Sequence, residues 1–162
     1  MIYFDNAATT KPSKTALEKA AIYNEEAFFN PSTLYSGGLG CAKEIKIAKE
    51  NILKNLGTTN HEVVFTSCGS ESDNMALRGV VNASNKEKKH IITTKIEHHA
   101  ILHTAEYLEK KGVEVTYLNV DEFGRISLEE LENAIRPETV LISVMFANNE
   151  IGTIQPVREI GK

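Results

Sequence analysis

The stretch His90-Ile91-Ile92-Thr93-Thr94-Lys95-Ile96-Glu97-His98-His99-Ala100 decides the fold. Its first five residues are an apolar, β-branched run of strand length, and Ala100 opens a helical pattern that runs to Lys111 and stops at Gly112. Strand, polar loop and helix in that order form half of a βαβ unit, and the same rhythm continues on both sides. Upstream, Glu62 to Thr66 has the character of a short buried strand, and Ser70 to about Val81 is helical with Met75, Ala76 and Val80 on one side. Downstream come a strand at Val113–Leu118, a helix that stops at Arg136-Pro137, and an almost unbroken apolar strand from Val140 to Phe146. Ser127-Leu128-Glu129-Glu130 is a capping box: Ser127 caps the amide three residues on and Glu130 reaches back. Strands alternating with helices predict an α/β fold, a mainly parallel sheet flanked by helices. The first 57 positions differ: a helix over Ser13–Phe29 stopped by Asn30-Pro31, a loop holding Gly37, Gly38 and Gly40, then a second amphipathic helix closed by Gly57.

Composition narrows the function. With 162 residues, 41% hydrophobic and 25% charged, the chain is neither disordered nor a disulfide scaffold, and it is long enough for a sizeable core. No apolar run reaches the roughly 18 residues of a membrane span. The start Met1-Ile2-Tyr3-Phe4-Asp5 lacks the basic and apolar regions of a signal peptide, so a cytoplasmic location is expected. A net charge of −4 without a basic stripe argues against nucleic-acid binding. Cys41 and Cys68 have no CxxC spacing and are expected as reduced thiols.

Ligands of parallel sheets bind beyond the carboxyl ends of the strands, which points to three loops. In Thr66–Asn74, Gly69 lets a ligand approach the backbone and Ser70 offers a hydroxyl at a helix N-terminus, a seat for an anion such as phosphate. The plainer reading makes Ser70 an N-cap, with Asp73 completing its box. GxxxxGK[ST] is absent, which excludes a nucleoside-triphosphate P-loop. Cys68 is either a nucleophile activated by the helix terminus or a small buried thiol filling the turn, the reading favoured here. In Lys95–Ala100, His98 is placed as a catalytic or stacking histidine, against plain solvent exposure. His99 and His103 have metal-ligand spacing but no evident third ligand, and no metal is expected. In Ala147–Pro156, Asn148, Asn149 and Glu150 serve either as internal staples or as ligand contacts.

Taken together, the motifs resemble the cysteine desulfurases of the nitrogenase and iron–sulfur-cluster type, within the class V aminotransferase group of fold-type I pyridoxal phosphate (PLP) enzymes. The resemblance rests on Tyr3-Phe4-Asp5-Asn6-Ala7-Ala8-Thr9-Thr10, Asn30-Pro31-Ser32, the Thr66–Asn74 loop, Glu97-His98-His99-Ala100 and Asn148-Asn149-Glu150-Ile151-Gly152-Thr153, in the family's order. It implies a partial large domain of that fold over residues 15–162, preceded by a small-domain segment over 1–14. It implies that Gly69 and Ser70 bind the PLP phosphate, that His98 stacks on the pyridine ring and takes part in proton transfer, and that Asn149 bonds the phenolic oxygen. The implied reaction splits L-cysteine into L-alanine and an enzyme-bound persulfide. The implied partners are a second identical subunit and a sulfur acceptor or iron–sulfur scaffold protein. Ser70 stands where the family usually has threonine, and Tyr35 where histidine is common. The resemblance also implies that the Schiff-base lysine and the nucleophilic cysteine lie outside this chain, since Lys95, Lys162, Cys41 and Cys68 do not match them. The segment alone is then expected to be inactive. The alternative is a non-catalytic half that associates with a separate C-terminal half or a full-length subunit.

Overall fold

A computed structural model describes residues 2–162. Contacts divide it into two compact units, residues up to Phe65 and Thr66–Lys162. The expected 1–14 segment begins at Met1, which lies outside the described residues.

The first unit is helical. Ser13 Oγ accepts the Ala16 amide at 3.1 Å and starts α1 (Lys14–Glu25). This helix ends before Phe29 because the amides of Glu26 and Ala27 both turn back onto the Ile22 carbonyl, at 3.0 and 2.8 Å. The glycine segment expected as a loop is instead the first turn of α2 (Ser36–Asn55). A Cβ at Gly38 would lie 2.0 Å from Thr33 Oγ1 and 2.6 Å from the Asn30 carbonyl. The close approach of the Asn30–Thr33 turn outweighs the roughly 1 kcal/mol that glycine costs a helix. Gly57, at φ +69°, follows the end of α2 as expected. Few side chains of this unit are covered: α1 buries none, α2 buries Gly38 and Cys41, and Phe28, Leu34 and Leu56 are exposed.

The second unit is the α/β body. Its elements are α3 (Gly69–Ala83), β1 (His90–Thr94), α4 (His99–Glu109), β2 (Glu114–Leu118), α5 (Leu128–Ala134), β3 (Thr139–Ile142) and α6 (Val157–Ile160). The three strands are parallel in the order β2-β1-β3. Successive β1 side chains point to opposite faces. Ile91 joins Leu77 and Val81 of α3 and Ile101, Ala105 and Leu108 of α4 on one face. Ile92 joins Leu118, Ile126 and Leu131 on the other, with Ile160 of α6 packed against them. The sheet therefore carries helices on both faces, as the alternating pattern predicted.

Two strand expectations need correction. Glu62–Thr66 forms no strand: it has no ladder partner among the described residues, and Val64 and Phe65 are more than half exposed. β3 is shorter than Val140–Phe146, because the Ser143 amide makes the last ladder contact, to the Ile92 carbonyl at 2.8 Å. The Met145 amide then turns to the Glu97 carboxylate at 2.7 Å. The capping box of α5 is half made. Ser127 Oγ accepts the Glu130 amide at 3.2 Å, while Glu130 Oε1 is taken by the amide and side chain of Asn119, both at 3.1 Å.

At the opposite edge from these loops, fully buried His90 bridges all three strands. Its Nδ1 lies 2.8 Å from Thr139 Oγ1 and its Nε2 2.8 Å from Thr116 Oγ1. Burial, reinforced by the positive charge of Arg136, holds its pKa below the ordinary histidine value. The folded state thus resists a proton that the unfolded chain accepts below about pH 6.5. The resulting stability is complete above that pH and is lost as pH falls through it, by up to about 1.4 kcal/mol per pH unit. Urea unfolding at pH 7.5 and 5.0 measures this, and a His90→Gln variant that kept the full slope would assign it to another group.

Candidate active site

The fold makes a crevice where β1 and β3 lie side by side. The chain leaves β1 toward α4 on one face and leaves β3 toward α6 on the other, so the two loops diverge, the arrangement that opens a ligand cleft in α/β sheets. His98 lies on the first loop and Asn149 on the second.

His98 is the N-cap of α4, and its Nδ1 accepts the Ala100 amide at 3.1 Å. With that nitrogen acting as acceptor, a neutral ring carries its proton on Nε2. Ser70 and Asn74 of α3 share one concavity of about 500 Å³ with His98, His99 and His103. Two of the expected residues, Ser70 and His98, are thereby brought together.

The N-cap of α3 is Cys68, so Ser70 is a residue of the first turn and does not cap it. Asp73 completes no box either. Glu71 closes this turn instead, its carboxylate accepting the Ser67 amide at 2.6 Å and the Ser67 hydroxyl at 2.7 Å. Those two bonds, the amide first, hold the Glu71 carboxyl below its usual pKa. The Ser70 hydroxyl makes no hydrogen bond among the described residues, and a Cβ on Gly69 would meet no atom within 4 Å. Cys68 is exposed, which corrects its reading as a buried turn filler. The Glu71 amide, then the Ser67 hydroxyl, lower its thiol pKa.

The amide pair of the third loop divides between the two roles left open by the sequence. Asn148 is buried and is a staple: its Oδ1 accepts the amides of Glu150 and Ile151 at 2.9 and 3.0 Å, and its Nδ2 donates to the Ile96 carbonyl at 2.9 Å. Asn149 is exposed at the tip of the same turn, and among the described residues its side chain bonds only Glu150 Oε1, at 2.9 Å. It does not line the concavity shared by Ser70 and His98.

Two buried residues have a place here that the sequence did not disclose. Glu97, 7% exposed, accepts the Met145 amide, and burial pushes its carboxyl pKa up. Gln155, 2% exposed, donates to the Gly124 carbonyl at 2.6 Å and accepts the Ile126 amide at 3.1 Å. For Gln155 the available signal was a polar side chain wedged between apolar neighbours, Ile154-Gln155-Pro156; Glu97, followed by His98, carried no such signal. Lys95 is exposed, and its Nζ donates to the neutral Asn119 Oδ1 at 2.7 Å. The His99 and His103 rings stack 5.3 Å apart, and no group of three candidate metal ligands forms among the described residues. None of the described helices is long and apolar enough to cross a membrane.

A family model described as aminotransferase class-V matches residues 2–162. The chain is 53% identical over 161 residues to "Cysteine desulfurase IscS" of Clostridium botulinum strain Kyoto, covering 99% of this chain and 41% of that protein. It is 51% identical over 161 residues to "Cysteine desulfurase IscS" of Methanosarcina thermophila, covering 99% and 40%. Among solved structures, "NIFS-LIKE PROTEIN" superposes with a TM-score of 0.95 at 42% identity, over 99% of this chain and 44% of that one. "SspA in complex with cysteine" gives a TM-score of 0.93 at 42% identity, over 98% and 46%. The chain thus spans about two fifths of the length of the curated relatives it matches.

Proposed function

Since the chain belongs to the class-V aminotransferase family, we propose that it supplies the phosphate seat and the ring-facing residues of a PLP-dependent cysteine desulfurase. The observation that carries this reading is the pairing of Ser70 and His98 in one concavity lined by α3, α4 and the α4 N-cap. The donor chemistry fits the cofactor. An unengaged hydroxyl and a glycine with open space where a Cβ would stand, at the positive end of a 15-residue helix, suit a phosphate dianion. His98 offers an exposed ring whose orientation is held by its cap bond. Asn149 offers a side-chain amide that a phenolic oxygen can take from Glu150. PLP, when bound, supplies the electron sink for breaking the carbon–sulfur bond of L-cysteine. The protein residues anchor its phosphate, cover its ring and hold a proton at His98 Nε2.

The complete enzyme, in this reading, is a homodimer that passes persulfide sulfur to an acceptor or iron–sulfur scaffold protein in the cytoplasm. Residues 1–14 belong to its small domain and 15–162 to its large one. The exposed apolar side chains Phe28, Leu34 and Leu56 support packing of this segment against further polypeptide, whether of one longer chain or of a separate C-terminal half.

Titrating PLP into the purified chain tests the seat. Ser70→Ala is expected to weaken binding by about 1.5–3 kcal/mol, the contribution of one hydrogen bond to a charged group. Unchanged affinity would remove Ser70 from the phosphate site.

A further inference from the structure

We infer that Glu97 and Asn148 are paired positioning residues that lock the His98 loop to the Asn149 loop across the β1/β3 crevice. The inference rests on the cofactor reading above only for what the two loops are held to do.

Backbone pairing between the strands ends at the Ser143–Ile92 bond, beyond which the chains diverge toward opposite faces. Two side chains then take over, one from each side. Glu97 reaches from the first loop to the Met145 amide of the second, at 2.7 Å. Asn148 reaches from the second loop to the Ile96 carbonyl of the first, at 2.9 Å. Both are 7% exposed, so neither bond is readily replaced by water. Each residue also sits immediately before the exposed residue it serves, Glu97 before His98 and Asn148 before Asn149. Glu97 is steadied by Thr94 Oγ1 at 3.5 Å, and Asn148 holds its own turn through the Glu150 and Ile151 amides. A shift of either loop therefore moves both His98 and Asn149. Neither Glu97 nor Asn148 needs to touch a cofactor for this.

Amide hydrogen exchange on the full chain tests the coupling at bonds the altered residue does not make. Glu97→Ala is expected to speed exchange at Glu150 and Ile151 about tenfold, and Glu97→Gln, which keeps an acceptor for Met145, to restore protection. Asn148→Asp keeps the acceptor for Glu150 and Ile151 but loses the donor to Ile96. It is expected to speed exchange about tenfold at Ala100, whose amide is bonded to the His98 ring. Protection at Ile91 and Ile92 serves as the control for an intact sheet. Exchange that rises only at Met145 in the first variant, with Ala100 unchanged in the second, would overturn the proposal. If Glu97→Ala does not fold, the Ala100 result in Asn148→Asp decides alone. PLP titration of the same variants separates the two readings. Coupled exchange with unchanged PLP affinity upholds the lock and counts against the cofactor site. Weakened PLP affinity without coupled exchange rejects the lock and leaves the site standing.

Discussion

In a full-length desulfurase carrying this segment, His98→Ala is expected to lower cysteine turnover by about 10²–10⁴-fold, the range for loss of a general acid–base group. Bound PLP should remain, because the proposed phosphate seat at Gly69 and Ser70 lies on a different element. A hybrid in which residues 1–162 replace the matching part of the Clostridium botulinum relative provides the enzyme. The alanine variant alone is ambiguous, since His98 also caps α4 and losing a cap costs about 0.5–2 kcal/mol of stability. His98→Asn resolves this. Asparagine is a good N-cap, so it preserves the helix start while removing the ring. Turnover should stay near the alanine level in His98→Asn, with thermal stability close to that of the parent. Recovery of turnover with asparagine would reduce His98 to a helix cap. The measurement is alanine release per bound PLP, with the cofactor followed by its visible absorbance.

The same double duty explains how much of the site could be read from sequence. His98 stood out because it ends a strand-to-helix loop, and Ser70 because it opens a helix after a glycine. Both signals are local, set by neighbours within one turn. The division of labour in Asn148-Asn149 was not local. Which amide turns inward depends on the carbonyl of Ile96, 52 positions away, and nothing in the dipeptide encodes that partner. Glu97 was hidden for the same reason, its acceptor role resting on an amide 48 positions distant. The fold followed a similar rule. Helices α3 and α4 and strands β1 and β2 came within a few residues of expectation, because apolar periodicity and glycine stops decide them. Glu62–Thr66 failed because a buried-strand composition makes a strand only where a neighbour supplies the ladder, and none among the described residues does. The glycine-rich start of α2 failed in the opposite direction, tertiary closeness at Gly38 prevailing over weak helix propensity.

Gln155→Leu is expected to be among the most damaging polar substitutions to stability. The side chain is buried and joins two turns, donating to the Gly124 carbonyl and accepting the Ile126 amide. Leucine fills a similar volume but satisfies neither group. An unsatisfied buried polar group costs about 1–3 kcal/mol, so the pair costs about 2–6 kcal/mol. Against a typical domain stability of about 5–15 kcal/mol, that is a large fraction. The loss is also directed at the candidate site. The turn pinned by Gln155 is tight: Gly124 has φ +79°, and a Cβ there would lie 2.6 Å from Ile151 Cδ1. Thr153 Oγ1 adds a bond to the Phe123 carbonyl at 2.5 Å. The Asp121–Ile126 turn is therefore the floor on which the Asn148–Ile154 turn rests, and freeing it loosens the residue at the tip, Asn149. Urea unfolding measures the first effect, and exchange at Ile151 and Gly152 the second. A Gln155→Leu variant within about 1 kcal/mol of the parent would mean that Gly124 and Ile126 find other partners. The floor would then be held by Thr153 and by the packing of Ile151 on Gly124.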